Sequence, residues 1–393
     1  MATPEFDSIV VGAGVEGSAA AYQLVKQQKL RTLLLEQFEL PHARGSSHGA
    51  SRIIRNVGPD KSYLPLIKSA YRQWNELEIA TGRQLFNNCG TLWMLEKGTP
   101  KYERTIARME EQRLPYQLLS NTEISERYPG LRYPDSKSVG VFDPHGGVLF
   151  ASRCVDALQK QFVSLGGLLR DGESVTRIEP VDATVTVSTT KCKYTAKAVI
   201  LCVGPWINKL LATFDSFQLP LKAWRVAPAF WEATRPELYD AKVFPTLVAK
   251  TDDSQPTTAV SVYALPIEEY PGLYKCAAHV GLECDPDFRD RTPLAPHLLD
   301  GPAKYLAAHF PGIRADKPAI VESCMYTVTP DDDFILDRHP KHRNVVIGAG
   351  FCGSGFKFAP AVGEVLASLA ADVNPPYNVD AFSAIRFTPK SKF

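Results

Sequence analysis

The chain has 393 residues, of which 45% are hydrophobic and 22% are charged, with a formal net charge of +1. This ordinary globular composition allows about two domains with a sizeable core. A charge balance so close to zero argues against a nucleic-acid or membrane-surface partner, because either would need a basic patch. No apolar run approaches the roughly 18 residues of a membrane span.

The acidic N-terminus, MATPEFDS, passes directly into a predicted strand, so we expect no secretory signal. Eight cysteines lie scattered without a CxxC pair, which favours a reducing intracellular compartment. The eight histidines show no HExxH or other ligand spacing, and we therefore predict no metal site.

The first predicted unit is a strand, a glycine loop and a helix in FDSIVVGAGVEGSAAAYQLVKQQ. Gly12, Gly14 and Gly17 have GxGxxG spacing, and the next strand, TLLLE, ends on Glu36. Such glycines let the backbone approach a pyrophosphate at the helix N-terminus, and the acid can accept hydrogen bonds from a ribose. The sequence predicts a dinucleotide site, and the motif alone does not separate FAD from NAD.

The glycines and serines of GSSHGASRIIR (45–55) suit a loop, and a helical turn is one way for the chain to continue. Arg52 and Arg55, three residues apart, would share a face of such a turn. Two surface arginines are the plainer interpretation. Ile53 and Ile54 between them favour burial, however, and a buried arginine needs an anionic partner.

Two later segments return to the pattern of the first unit. TAKAVILCVGPW (195–206) is a buried-strand run, and NVVIGAGFCGSGFKFAPAVGEVLASLA (344–370) is a strand, glycine loop and helix. A nucleotide domain that returns late in the chain must be discontinuous, with a second domain inserted. Residues 219–292 are rich in proline and aromatics, and TTAVSVYALP and GLYKCAAHVG within them predict antiparallel strands.

The strand period of two places Lys275, Ala277 and His279 on one face of GLYKCAAHVG. Tyr274 and Cys276 belong to the opposite, apolar face. Tyr263, on the preceding strand, could lie near the same place. A solvated strand face remains an equal alternative from this pattern alone.

The stretch VESCMYTVTPDDDFILDRHP (321–340) sets Cys324 and Tyr326 on one face of an apolar strand. A lone cysteine there is usually a small buried hydrophobe.

Further on, Lys357 falls in the first turn of a helix, where a cation opposes the macrodipole. An anionic ligand bound there would make the position of Lys357 favourable. Because Arg55 is a second candidate cation, the simplest such ligand is a substrate carboxylate. A solvent-facing lysine is the alternative.

The motifs of this chain, in their order and spacing, resemble those of the monomeric sarcosine oxidase family of amine-oxidising flavoproteins. They are GxGxxG with a late Glu, SSHGASRIIR, LYKCAAH, ESCMYT and GAGFCGSGFKF. The similarity spans nearly the whole chain. It implies FAD held covalently, its 8α-methyl joined to the sulfur of Cys324. The catalytic residues that it implies are Lys275, which would activate oxygen, and His279, Tyr263 and Arg52.

The same resemblance implies the binding residues. The substrate would be bound by Arg55 and Lys357, which clamp its carboxylate, and by Tyr263 and His279. The cofactor would be bound by Gly12, Gly14, Gly17, Glu36, His48, Ser51, Arg52, Cys324, Tyr326, Gly353 and Lys357. Family members often read GFSGHGFK where this chain has Cys352 and Ser354, and an aromatic often replaces Ala278. These departures leave the preferred amine open.

The expected fold is α/β (α+β), with an FAD-binding Rossmann-like domain and an inserted antiparallel-sheet substrate domain. We predict the first from residues 1–88, 150–218 and 320–393, and the second from 89–149 and 219–319. The expected reaction is oxidation of a secondary α-amino acid, sarcosine or L-pipecolate, by O₂ with release of H₂O₂. Alternatives are a dehydrogenase that passes electrons to a carrier protein and a flavin-binding protein without turnover.

The chain ends KSKF, whose last three residues differ from the peroxisomal signal S-K-L only at the final position. An oxidase that releases H₂O₂ is best housed beside catalase. We therefore expect a peroxisomal protein that engages the import receptor through SKF, with the cytoplasm as the alternative.

Overall fold

The computed structural model describes residues 4–56, 61–134, 137–250 and 261–387. The first four residues of TTAVSVYALP and the C-terminal SKF lie outside these ranges. The helices are α1 (Val15–Lys26), α2 (Tyr63–Thr81), α3 (Pro100–Glu111), α4 (Asn121–Arg127), α5 (Ala151–Ser164), α6 (Ile207–Leu211), α7 (His297–His309) and α8 (Ala359–Ala370).

The first eleven strands are β1 (Phe6–Val11), β2 (Thr32–Leu35), β3 (Ser51–Ile54), β4 (Phe86–Asn87), β5 (Thr91–Glu96), β6 (Gln117–Leu119), β7 (Ser138–Asp143), β8 (Gly147–Phe150), β9 (Leu168–Arg170), β10 (Val175–Val181) and β11 (Thr184–Thr189). The others are β12 (Lys193–Leu201), β13 (Lys222–Val226), β14 (Ala229–Glu232), β15 (Thr246–Lys250), β16 (Ser261–Leu265), β17 (Leu273–Ala278), β18 (Leu282–Glu283), β19 (Ile320–Val321), β20 (Cys324–Val328), β21 (Ile335–Arg338) and β22 (Val345–Ala349).

The nucleotide-like segments form one sheet with the order β10-β11-β12-β1-β2-β9, in which β22 pairs with β12 and β21 with β22. The pairs β12–β1, β1–β2, β2–β9 and β12–β22 are parallel. All residues of β2 and β22 are buried, as expected of strands covered on both faces. This confirms the predicted α/β class and the late return of the chain to the first sheet.

Helices α1 and α8 pack closely on one face of this sheet. A Cβ on Gly363 of α8 would lie 2.6 Å from the carbonyl carbon of Ala19 in α1. The two helix backbones therefore approach each other as no larger residue would allow. This contact ties the glycine loops before both helices to one place at the sheet edge.

The second large sheet has the order β19-β14-β17-β16-β15-β5-β7-β6 and is antiparallel except where β15 meets β5. β16 and β17 pair antiparallel, which confirms the prediction for the described part of TTAVSVYALP and for GLYKCAAHVG. β17 ends at Ala278, so His279 follows the strand rather than belonging to it. Tyr274 and Cys276 are buried in the core of this sheet, as predicted.

The predicted helical turn at SRIIR is wrong. Ser51–Ile54 form β3, which pairs antiparallel with Gly147–Phe150. Two consecutive β-branched isoleucines favour a strand over a helix. Arg52 belongs to the strand and Arg55 follows its end, so the two arginines do not share a helix face.

None of the helices in the described ranges is both long and apolar enough to cross a bilayer. Within the same ranges, no three His, Cys, Asp or Glu side chains lie close enough together to hold a metal ion.

Candidate active site

A single cavity of about 1780 Å³ runs from the first glycine loop to the second sheet. It exceeds the roughly 300–1,000 Å³ of an ordinary small-molecule pocket, so it has room for a dinucleotide and a substrate together. Fourteen of the fifteen predicted site residues line it: Gly12, Gly14, Glu36, His48, Ser51, Arg52, Arg55, Tyr263, Lys275, His279, Cys324, Tyr326, Gly353 and Lys357.

The remaining predicted residue, Gly17, acts within the loop rather than on the cavity wall. A Cβ there would lie 1.8 Å from the carbonyl oxygen of Gly12, which itself has φ +98°. These two glycines permit the sharp passage from β1 into α1. Glu36 fixes the same loop, because its Oε2 accepts a hydrogen bond of 2.8 Å from the Ala13 N–H.

The loop at 45–50 closes the cavity beside the glycines. Ser47 Oγ accepts a hydrogen bond of 2.9 Å from Val15 N, in the first turn of α1. Arg52 donates to the carbonyl oxygens of Ser46 at 2.9 Å and His48 at 2.6 Å. The guanidinium therefore braces this loop from within. Burial lowers the pKa of His48, so its imidazole is held neutral.

Cys324 and Tyr326 lie on β20 and both reach the cavity, as their shared strand face predicts. Cys324 is 5% exposed, and its Sγ lies 3.7 Å from the carbonyl oxygen of Ser46. Burial raises the pKa of Tyr326 to about 12. It also raises the pKa of Tyr263 well above its ordinary value, helped by the charge of Tyr326 and their hydrogen bond. The His279 ring lies 5.2 Å from that of Tyr326.

Lys275 forms a buried ion pair that the sequence did not predict. Its Nζ lies 2.5 Å from Glu269 Oε1 and 3.2 Å from Ser51 Oγ, and Ser51 also donates to Glu269. Burial lowers the pKa of Lys275 while the charge of Glu269 opposes that shift. Burial would raise the pKa of Glu269, but Lys275 and Ser51 hold it below its ordinary range. The only sequence signal was an acid in the turn before Lys275.

Arg55, which is half-buried, and Lys357, which is buried, bring two cations to one wall of the cavity. The Arg55 guanidinium lies 4.7 Å from the ring centre of Trp93, and burial lowers its pKa to about 10. Lys357 is 4% exposed and donates to the Ser354 carbonyl oxygen at 2.9 Å. Burial and the charge of Arg55 lower the pKa of Lys357 well below its ordinary value. Two cations that repel each other in a buried wall are stabilised by an anionic ligand.

Lys357 lies in a short 3-10 turn, Gly355–Phe358, directly before α8. Glu16, in the first turn of α1, lies beside it: a Cβ on Gly355 would lie 2.7 Å from Glu16 Oε1. Burial raises the pKa of Glu16 well above its ordinary value. Sequence reasoning passed over Glu16 because the x positions of GxGxxG carry no fixed residue type.

These residues fit a flavin dinucleotide. One end of the cavity offers a glycine loop in which Gly12 and Gly17 leave no room for a Cβ, together with the N-terminus of α1, which suits a pyrophosphate. The other end offers the Cys324 thiol within a wall of neutral phenols and cations. Such an elongated site matches a long cofactor with a substrate beside its far end.

Comparison with known proteins agrees with this geometry. The family described as FAD dependent oxidoreductase matches residues 7–369. The peroxisomal sarcosine oxidase of Homo sapiens is 40% identical over 390 residues, which cover 98% of this chain and 97% of that one. A monomeric sarcosine oxidase of Bacillus sp. (strain NS-129) is 34% identical over 386 residues, 97% of each chain.

Among solved structures, NikD, an unusual amino acid oxidase essential for nikkomycin biosynthesis, is similar in its open form with a TM-score of 0.82 and 26% identity. The match covers 97% of this chain and 98% of that one. The chain thus belongs to the sarcosine oxidase family of FAD-dependent oxidoreductases.

Proposed function

We propose that this protein oxidises secondary α-amino acids with O₂, giving an imine and H₂O₂. The observation that carries this proposal is the pair of neighbouring cations, Arg55 and Lys357, in the wall of a cavity that also holds the Cys324 thiol. Bound FAD supplies the redox chemistry by accepting a hydride equivalent from the carbon beside the substrate nitrogen and giving two electrons to O₂.

Arg55 and Lys357 bind the substrate carboxylate in this proposal. The Arg55 guanidinium offers a planar pair of donors and the Lys357 ammonium a single charge, so together they fix one end of a small amino acid. Tyr263 and His279 line the space beyond. Burial raises the pKa of Tyr263 well above its ordinary value, so its neutral phenol can orient the amine without adding a charge.

Lys275 serves the oxygen step. A cation fixed in a water-poor site stabilises negative charge that develops on oxygen. Glu269 and Ser51 hold the Lys275 ammonium in place, since both contact its Nζ.

The cofactor is held covalently through Cys324 in this proposal. The Cys324 side chain lines the cavity beside the loop that Arg52 holds, and Tyr326 lies on the same strand face. His48, Ser51 and Gly353 line the same end, while Gly12, Gly14 and Glu36 bind the adenosine and pyrophosphate end. The catalytic and binding sets named from the resemblance keep their roles in this proposal. The two-domain division is also part of it, except that Ile320–Val321 pair with β14 in the second sheet.

Peroxide release measured over a panel of N-methyl and cyclic amino acids tests this function. Sarcosine and L-pipecolate are the first two compounds to test. Relatives of this chain are named as sarcosine oxidases, and L-pipecolate is a secondary amino acid whose nitrogen lies in a ring. Flavin reduction without peroxide would favour a dehydrogenase with a carrier protein. A flavin that no amine on the panel reduces would favour a binding protein without turnover and contradict the proposal.

A further inference from the structure

One face of α3 presents three cations to the cavity. Lys101, Arg104 and Arg108 follow one another at spacings of three and four, and all line the cavity wall together with Thr105. The lining includes none of the three glutamates of the same helix, Glu103, Glu110 and Glu111. The cavity-lining face of α3 is therefore positively charged, and its glutamates lie on other faces.

Trp93 of β5 lies against this face. It is 7% exposed, and its indole Nε1 is buried with no hydrogen-bond partner among the described residues. A buried N–H that lacks an acceptor costs free energy, so a ligand oxygen that reaches it is favoured. Lys101 Nζ lies 5.8 Å from the centre of the same indole that Arg55 contacts at 4.7 Å. The Lys101 ammonium and the Arg55 guanidinium therefore lie no farther apart than the sum of their distances to the Trp93 ring.

The register of the second sheet places this group at the substrate end of the cavity. Trp93 pairs with Val248, Val248 with Tyr263, and Tyr263 with Ala277. Residues paired directly across neighbouring strands share a face of the sheet. Trp93 is two strands from Tyr263, or about 10 Å at ordinary strand spacing. The group is therefore close to the pocket for the amine.

We propose that Trp93 and the cationic face of α3 bind a second anionic group of the substrate, so that the preferred substrate is a secondary amino acid with two carboxylates. This inference rests on the proposed function. The α-carboxylate occupies Arg55 and Lys357, and the distal carboxylate reaches the Trp93 N–H and the α3 cations. Each of these cations can bind the carboxylate and keep another partner at the same time, because an arginine has five donors and a lysine three.

Matched substrates test the proposal. N-methyl-L-glutamate and N-methyl-L-glutamine have nearly the same shape and differ by one negative charge. We expect kcat/KM to favour the glutamate by about tenfold or more, and added salt to narrow that ratio because it screens the charges. Equal kcat/KM for the two substrates would overturn the proposal.

Variants assign the preference to these residues. Arg104→Gln with Arg108→Gln is expected to lower the glutamate-to-glutamine ratio about tenfold, since both charges act on the distal group. Trp93→Phe keeps the ring but removes the N–H and should lower the same ratio. Lys68→Gln, an exposed position on α2 outside the cavity lining, is the control and should leave the ratio unchanged. An unchanged ratio in the double variant would contradict the assignment.

A binding measurement separates this inference from the proposed function. Glutarate and butyrate are unreactive and have similar length, and each can be titrated while the flavin spectrum is recorded. We expect glutarate to bind the parent protein more tightly and the double variant to lose that difference. Tighter glutarate binding by a protein that oxidises no amine would refute the function alone. Oxidation of sarcosine with no preference for glutarate would refute the second site alone.

Discussion

The buried pair of Lys275 and Glu269 shows how single residues set the chemistry of this site. Both side chains are nearly inaccessible, at 6% and 5% exposure. Burial by itself disfavours either charge, and each charge persists because the other lies within 2.5 Å. Removing one partner leaves the other as an uncompensated buried charge or forces it to become neutral.

Lys275→Met is expected to separate the two halves of the reaction. If Arg55 and Lys357 bind the substrate as proposed, that binding remains in the variant, and anaerobic bleaching of the flavin should stay close to that of the parent. Reoxidation by O₂ should slow by about two orders of magnitude or more, because a preorganised cation is lost. Stopped-flow absorbance measures both steps, and an equal loss in both would make Lys275 a structural residue.

Glu269→Gln is expected to change the pH dependence of reoxidation. The carboxylate raises the pKa of Lys275 against the effect of burial, so its loss lowers that pKa further. The Lys275 cation is then lost at a lower pH as the pH rises. The rate of reoxidation should begin to decline at a lower pH than in the parent protein.

Glu268→Gln is the matched control for that variant. Glu268 is the exposed neighbour of Glu269 and accepts a hydrogen bond from Asn87 at 3.3 Å. The same change of charge there should leave the pH profile of reoxidation in place. A shift of equal size in both variants would assign the effect to general charge rather than to the ion pair.

Cys324→Ser is expected to release the flavin. If Cys324 carries the covalent bond, acid precipitation of the parent leaves the yellow colour in the pellet, and the variant gives it up to the supernatant. Cys192→Ser, at an exposed cysteine outside the cavity lining, should retain the colour in the pellet. Release of the flavin from the parent protein itself would refute the covalent assignment.

At the scale of elements, the contact of α1 with α8 aligns the two glycine loops that reach the cavity. Gly363 makes it possible, because its Cα lies against the Ala19 backbone. A helical glycine is otherwise about 1 kcal/mol less favourable than alanine. The close approach of two buried helices therefore outweighs local helix propensity at this position.

Gly363→Ala tests that balance. Propensity alone predicts a more stable protein, whereas a new Cβ at 2.6 Å from backbone predicts that the helices are forced apart. Overpacking of this kind costs about 1–3 kcal/mol, which equals or exceeds the gain of about 1 kcal/mol in helix propensity. We expect a lower apparent Tm in thermal unfolding followed by circular dichroism. A higher Tm would mean that the helices separate without cost.

At the scale of the whole molecule, the predicted peroxisomal destination rests on a resemblance of three residues to a known signal. Residues 391–393 read SKF and lie outside the described ranges. A fluorescent protein fused in front of the intact chain is expected to give puncta that coincide with catalase. Deleting Ser391, Lys392 and Phe393 should make the signal diffuse. Diffuse signal from the intact fusion would contradict the peroxisomal prediction and leave the proposed enzymatic function standing.

The sequence by itself determined the elements with strong local patterns. Buried strands before glycine loops predicted the parallel sheet, and strand alternation placed Cys324 with Tyr326 and Lys275 with Ala277. These features follow from backbone geometry over a few residues. The turn at Arg52 was predicted wrongly, because its strand partner, β8, lies almost 100 residues further along the chain.

Only the tertiary structure decided which charges meet. Glu269 beside Lys275, Glu16 beside Lys357, and the α3 cations beside Trp93 each join side chains from separate turns, helices or strands. No local pattern reports such contacts. Glu269 and Lys101 are near their partners in the chain, but whether they meet depends on how the turn before β17 and the helix α3 fold back on the sheet. Glu16 meets Lys357 only through helix packing over a long chain separation. Their energies depend in turn on burial, which exists only once the two sheets enclose the cavity.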